Sequence, residues 1–258
     1  MKILKELYDY REMIYNLVKK ELRGRYKGSV LGFLWTFINP LFQLIIYTIV
    51  FSYIMKSGID KYYLFLFVAL IPWIFFQTSL QGGAASIITQ KSLVTKIYFP
   101  REVIPVSFVT SCFMNMLFCF VIIFIVVGLA GVKLSLVGLL CLPVVMLVEY
   151  LLALGFTMIA SAVTVYFRDF EHILGIIVMA WMYLTPIIFA LDIVPDSFMP
   201  IFKYNPLTYV IEAYRDILYA GGVPQMSELL YSFVVGVVVV VIGFIVFAKL
   251  KRHFAEEL

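Results

Sequence analysis

Six long apolar runs divide the sequence, and charged residues gather in the gaps between them. The runs are Val30–Met55, Tyr62–Gln81, Val103–Ala130, Leu134–Val165, Glu171–Leu191 and Leu229–Ala248. A helix needs about 20 apolar residues to cross the hydrocarbon core of a bilayer. The fourth run is too long for one straight span, and Gly138 and Pro143 are placed to break or kink its start. The sequence has 20 Lys+Arg and 16 Asp+Glu, of which Glu149 alone lies deep inside a run, while the other 35 stand at run edges or between runs. A charge at the bilayer centre costs about 2.5–3.5 kcal/mol even on the lenient insertion scale. The pattern therefore predicts an all-α integral membrane protein with six transmembrane helices over residues 30–248.

The gaps carry structure of their own. In residues 1–29, Ile3, Leu7, Tyr10, Ile14 and Leu17 recur at steps of four and three, which is one face of a helix. Lys2, Lys5, Glu6, Asp9, Glu12, Lys19 and Lys20 fill much of the rest, so the segment reads as an amphipathic helix in the cytoplasmic interface or against the protein's own body. Gly24, Gly28 and Gly32 follow at GxxxG spacing. Arg23, Arg25 and Lys27 interrupt them, which favours a flexible elbow over close helix contact. Asn39-Pro40 is placed to kink the first span.

Residues 82–102 mix Ile87, Ile88, Leu93, Val94, Ile97, Tyr98 and Phe99 with Lys91, Lys96 and Arg101. That composition predicts a short amphipathic helix suited to docking a partner, ended by Pro100. Beyond the fifth run, Asn205-Pro206 reads as an N-cap followed by a first-turn proline. Leu207, Ile211, Tyr214 and Leu218 then form a helical stripe, with Gly221 and Gly222 as a stop and Pro224 after them. A helix of about 15 residues, roughly 22 Å, with Glu212, Arg215 and Asp216 on it, is too short and too charged to span. It is expected to dip into the outer interface, preceded by a second short piece near Asp196–Lys203.

Composition agrees: 63% of residues are hydrophobic and mean hydropathy is +1.01, against about 45–50% apolar in soluble domains. With an even number of spans both ends lie on one side. That side would carry 15 of the Lys and Arg residues and the other side 5, so the positive-inside rule places residues 1–29 and a tail over 249–258 in the cytoplasm. The polar start of about 29 residues is not that of a cleavable secretion signal. Cys112, Cys119 and Cys141 lie in apolar runs as small packing residues, and His172 and His253 stand too far apart in sequence to suggest zinc. No GxxxxGK[ST], HExxH or GxSxG is present, so the chain has no usual phosphate-cradling loop and no catalytic signature. Glu149 reads as a polar contact within the bundle or as a proton relay. Aromatics crowd the spans, among them Trp35, Phe42, Tyr47, Trp73, Trp181 and Tyr183, as belt or core residues or as stacking faces for sugars.

An ordered set of motifs closes the reading. It runs from Glu-Leu-Arg-Gly-Arg-Tyr-Lys-Gly-Ser-Val-Leu-Gly-Phe-Leu-Trp at 21–35, through Asn39-Pro40, to Thr-Lys-Ile-Tyr-Phe-Pro-Arg-Glu-Val-Ile-Pro at 95–105. Tyr-Phe-Arg-Asp at 166–169, Thr185-Pro186, Tyr-Asn-Pro-Leu-Thr at 204–208 and Glu-Ala-Tyr-Arg-Asp at 212–216 follow. This set resembles the membrane subunit of type 2 ATP-binding cassette exporters for polysaccharides, the group of O-antigen, capsule, rhamnan and teichoic acid permeases. The resemblance implies a permease in the cytoplasmic membrane of a bacterium or archaeon. It would be a homodimer with two copies of a separate ATPase, which alone binds ATP and magnesium. A lipid-linked glycan would be the cargo, among membrane lipids, with no nucleic acid and no catalysis or cofactor in this chain. It further implies that Lys91, Ser92, Lys96, Tyr98 and Arg101 couple to the ATPase. The aromatics above would line the glycan path, and Phe202, Tyr209 and Tyr214 would belong to external gate helices. Two other readings stay open: a type 2 exporter of lipids or drugs, and an ion-coupled carrier working through Glu149.

Overall fold

The computed structural model describes residues 2–24 and 28–257, and among them all regular structure is helical. Arg25 and Lys27, set between the elbow glycines, lie outside the described residues, as do the side chains of Lys2 and Ile3. Helices α1 (Lys2–Asp9) and α2 (Arg11–Gly24) take the place of the single helix expected. The join at Tyr10 keeps its hydrogen bonds on both sides, from Tyr10 N to Glu6 O and from Ile14 N to Tyr10 O. The predicted stripe packs on the protein's own body: Leu17 is buried in the main core, and Leu7, Tyr10 and Ile14 lie against it. Gly28 and Gly32 adopt positive φ with nothing near their α-carbons, so this stretch is an elbow rather than a helix contact.

The first span begins with a 3-10 turn, Gly32–Leu34, continues as α3 (Trp35–Thr48) and ends in a π-helical turn, Ile49–Ile54. Pro40 sits inside α3 and removes one amide donor. The Thr36 carbonyl, one turn before Pro40, accepts from the Cys119 thiol at 3.4 Å. Next come α4 (Tyr62–Ala84), α5 (Ser86–Thr89), α6 (Lys91–Lys96), α7 (Val103–Leu129) and α8 (Leu136–Tyr166). Helix α8 runs unbroken through Gly138 and Pro143, where the sequence suggested a break. Helix α6 stops four residues before Pro100, because Ile97 is already extended.

The fifth apolar run departs most from expectation. Its helix α9 (Phe170–Tyr183) has 14 residues, about 21 Å at the usual rise, short of a hydrocarbon core of about 30 Å. The chain then leaves the helix at Leu184, ahead of Pro186. Among the described residues five helical segments are long and apolar enough to cross a membrane, and α9 is a shorter sixth. After a 3-10 turn at Leu191–Ile193 come α10 (Met199–Tyr204), α11 (Pro206–Leu218), α12 (Met226–Leu250), a second 3-10 turn at Lys251–His253 and α13 (Phe254–Glu257).

Helix α4 is the centre, with 78% of its most apolar window buried, whereas the first span is 11% buried. It lies between α7 and α8 and also touches α3, α9 and α11. The elements α1, α2, α5, α6 and residues 251–257 gather at one end, called here the basic end. The far loops are fastened to each other: Lys61 Nζ donates to Ala130 O, Tyr219 Oη to Asp60 O and Ser135 N to Gly221 O.

Helices α8 and α12 meet backbone to backbone. A Cβ on Gly155 would stand 2.6 Å from Val240 N, and one on Gly243 the same distance from Gly155 O. Main-chain atoms cannot yield as a flexible side chain can. Gly155→Val and Gly243→Val are each expected to lower the thermal stability of the detergent-purified protein by about 1–3 kcal/mol. Gly128→Ala, where nothing lies within 4 Å, is the control and leaves the melting temperature unchanged or slightly raised. Equal melting temperatures for all three would contradict the packing.

Candidate functional site

Two regions collect the polar side chains, one at each end of the bundle. At the basic end, α5 and α6 fold across the opening between α4 and α7. Ile87 and Val94 are buried and hold this piece down, while Gln90 Nε2 donates to Glu21 Oε1 of α2 at 3.2 Å. Lys91, Ser92 and Lys96 are left on the exposed face of α6. Tyr98 is 99% exposed. The fifth predicted coupling residue behaves differently: Arg101 turns inward and donates from Nη1 to the carbonyl of Lys251. Glu6, Tyr10, the 94–101 stretch, Lys251 and Arg252 line an open groove of about 770 Å³. Exposed cations and an exposed tyrosine thus stand beside this groove.

The opposite end is built around the break after α9. A helix that ends below the membrane surface leaves carbonyls without partners, and in hydrocarbon each unsatisfied group costs several kcal/mol. Three carbonyls of the chain that follows α9 are met by side chains. Asn205 Nδ2 donates to Leu184 O at 2.8 Å, Arg215 Nη2 to Ile187 O at 2.8 Å and Tyr62 Oη to Ile188 O at 2.7 Å. Asn205 is the predicted N-cap of α11: its Oδ1 accepts from Leu207 N, and Pro206 follows it at the first turn. The same amide also accepts from Trp181 Nε1 and donates to Thr185 Oγ1, so two donors and two acceptors fix its orientation.

Helix α11 is covered rather than interfacial. Its stripe of Leu207, Ile211, Tyr214 and Leu218 is buried, and so is Arg215, at 3% exposure. The sequence put Arg215 on this helix but did not reveal its burial; the i, i+3 spacing from Glu212 is the signal that could have marked the pair. Its Nη1 meets Glu212 Oε1 at 2.7 Å and its guanidinium stands 3.5 Å from the centre of the Phe65 ring. Burial raises the Glu212 carboxyl above its usual range, and the Arg215 charge opposes the rise. Tyr214 Oη donates to Glu149 Oε2 at 2.7 Å, so the carboxylate inside α8 fastens α11 to the bundle.

The other predicted gate and path residues lie apart. Phe202 is buried edge-on against Phe189, and Tyr209 meets Tyr231 edge-on at 5.6 Å beside a hollow that also holds Tyr204. Trp73, 2% exposed, lies inside the subunit, and Trp181 packs against Phe76 and Phe156. Trp35 Nε1 donates to Ser29 Oγ near the basic end. Tyr47 is half-buried against Phe51. Phe42 and Tyr183 are exposed, on α3 and at the end of α9. The subunit does not bring these six aromatics into one lining. Sequence reasoning missed Glu102, 1% exposed, whose partner Lys251 lies 149 positions away and leaves no local signal. Among the described residues no group of three His, Cys, Asp or Glu could hold a metal ion.

A bundle of long apolar helices of this kind is that of an integral membrane protein. The profile of the family described as ABC-2 type transporter matches residues 12–219, and the chain belongs to that family. It is 33% identical to the O-antigen export system permease protein RfbA of Myxococcus xanthus, over 100% of both chains. It is also 33% identical to the Klebsiella pneumoniae protein of the same description, over 96% of this chain and 95% of that one. Similarity extends to the polysialic acid transport protein KpsM of Escherichia coli, at 23% identity over 88% of this chain and 89% of that one.

Asn205→Asp keeps the N-cap acceptor but loses both donors and sets a carboxylate against the Leu184 carbonyl. It is expected to cost about 2–4 kcal/mol in thermal unfolding of the purified protein. Tyr214→Phe, which leaves Glu149 buried without its partner, is expected to cost about 1–3 kcal/mol. Wild-type stability in both variants would contradict the stitching.

Proposed function

We propose that this chain is the permease half of an ATP-driven exporter that moves a lipid-linked surface polysaccharide across the cytoplasmic membrane. The observation that carries the reading is the match to an O-antigen export permease over 100% of both chains. The sequence holds no GxxxxGK[ST] loop, so ATP and its magnesium are bound by a separate ATPase chain, two copies to a permease dimer. Lys91, Ser92, Lys96 and Tyr98, exposed on and after α6, present the face that the ATPase grips. Arg101 anchors that face to the bundle. The 15 to 5 division of Lys and Arg puts the basic end in the cytoplasm, where ATP is.

The export path is shared between two subunits. The first span, Gly32–Ile54, has most of its surface uncovered in the single chain, and Phe42, Ile45, Ile46 and Ile49 on it are exposed. A second copy set against this side encloses a passage that one bundle does not, and exposed aromatics such as Phe42 and Tyr183 then offer apolar faces to sugar rings. On the far side α10 and α11, with Phe202, Tyr209 and Tyr214, form the gate. An ion-coupled cycle through Glu149 has less support, because Tyr214 occupies that carboxylate as a helix fastening. The tagged permease, purified from its native membranes in mild detergent, is expected to bring a stoichiometric ATPase chain with it. A permease recovered with no ATP-hydrolysing partner would overturn the proposal.

A further inference from the structure

Lys251 is held at both its main chain and its side chain by two consecutive residues that precede α7. Its Nζ meets Glu102 Oε1 at 2.5 Å, and its carbonyl accepts from Arg101. One residue earlier, the Leu250 carbonyl accepts from Tyr166 Oη, at the end of α8, at 2.6 Å. The last carbonyls of a helix lack partners within it and attract cations; here α8 and the turn before α7 supply the caps. The 3-10 turn at Lys251–His253 then drives Phe254 into the bundle, fully buried. Its ring centre lies 5.4 Å from that of Phe247 and 6.1 Å from that of Tyr166, with the Arg101 guanidinium 5.9 Å away.

The position of this joint gives it a task. Only residues 97–100 separate the exposed face of α6 from Arg101; Ile97 is extended and Pro100 has a fixed φ. A push on α6 therefore arrives at Arg101 and Glu102, and through them at α12. Because α12 lies backbone to backbone on α8 at Gly155 and Gly243, the two helices shift together. Their far portions hold α11: Ser232 Oγ of α12 donates to Pro206 O at 2.8 Å, and Glu149 of α8 accepts from Tyr214. Stability alone does not call for charge here, since a buried ion pair can often be replaced by apolar residues of similar volume without loss.

We propose that the Glu102–Lys251 pair, wedged by Phe254, is the joint that transmits movement of residues 91–101 to α12 and so to the gate helix, making these positioning residues of the transport cycle. The proposal rests on the reading above that residues 91–101 receive the ATPase.

The test uses the permease with its ATPase in the native host, comparing wild type, Lys251→Met, Lys251→Arg, Lys251→Glu, Glu102→Lys and the double swap. Phosphate release is measured on the purified complex. Export is measured as surface carbohydrate on intact cells, oxidised with periodate and labelled with a hydrazide dye. Both are normalised to assembled complex. Lys251→Met is expected to keep phosphate release within about twofold while export falls about fivefold or more, the scale on which coupling mutations act. Lys251→Arg keeps export, and the double swap regains most of what Lys251→Glu loses. Wild-type export by Lys251→Met, or export and phosphate release falling in parallel, would overturn the proposal. If the charge reversals fail to assemble, Lys251→Met and Lys251→Arg decide it. Absence of ATP-dependent export in the wild type would instead sink the earlier reading, so the two failures are distinct.

Discussion

A chain that stops being helical at membrane depth must find partners for its free peptide groups, and the far half of this protein is organised by that requirement. Helix α9 ends at Tyr183, and the carbonyls of Leu184, Ile187 and Ile188 are met by side chains from α11 and α4. Each partner is itself placed by a local rule. Asn205 is there because it caps α11, Arg215 because it sits nearly one turn along from Glu212, and Tyr62 because it opens α4. Helix α11 and the break thus secure each other: without α11 the carbonyls after the break would lose these partners, and without the break α11 would have no bed.

Excluding charge from the spans leaves few ionisable groups inside, and those that remain join elements. Glu149 ties α8 to α11, Arg215 ties α11 to the chain after α9, and Glu102 ties the start of α7 to the end of α12. The apolar contacts around them have no such direction. Helix α4 is buried on nearly every side by Leu, Phe, Val and Ile, which fixes the bundle without specifying where it moves. Directed polar contacts at the two ends and a close-packed α8–α12 pair between them suit a protein that must relay a push from one face to the other.

The second, third, fourth and sixth spans were legible because exclusion of charge is local and leaves its mark on every residue; Tyr62 and Val103 begin helices where the apolar runs begin. The cap at Asn205-Pro206 was legible for the same reason. The fifth span was not, since apolarity alone cannot reveal that Pro186 lies beyond a helix that has already ended. Contacts across 65 residues from Glu149 to Tyr214, or 149 from Glu102 to Lys251, depend on how the helices pack and have no counterpart in spacing. The glycines that read as GxxxG make no close contact, whereas Gly155 and Gly243, in different spans, do.

The chain belongs to the ABC-2 transporter family, and in the function we propose it forms the passage while a separate chain supplies the energy. That division is most directly tested in sealed inside-out membrane vesicles from the native host that carry a lipid-linked glycan on their outer, cytoplasmic leaflet. Lumenal glycan, meaning glycan shielded from added glycosidase, is measured with permease alone and with permease plus ATPase, with and without ATP. The account predicts lumenal glycan only when both chains and hydrolysable ATP are present. Glycan accumulating with the permease alone, driven by an imposed proton or sodium gradient, would contradict it.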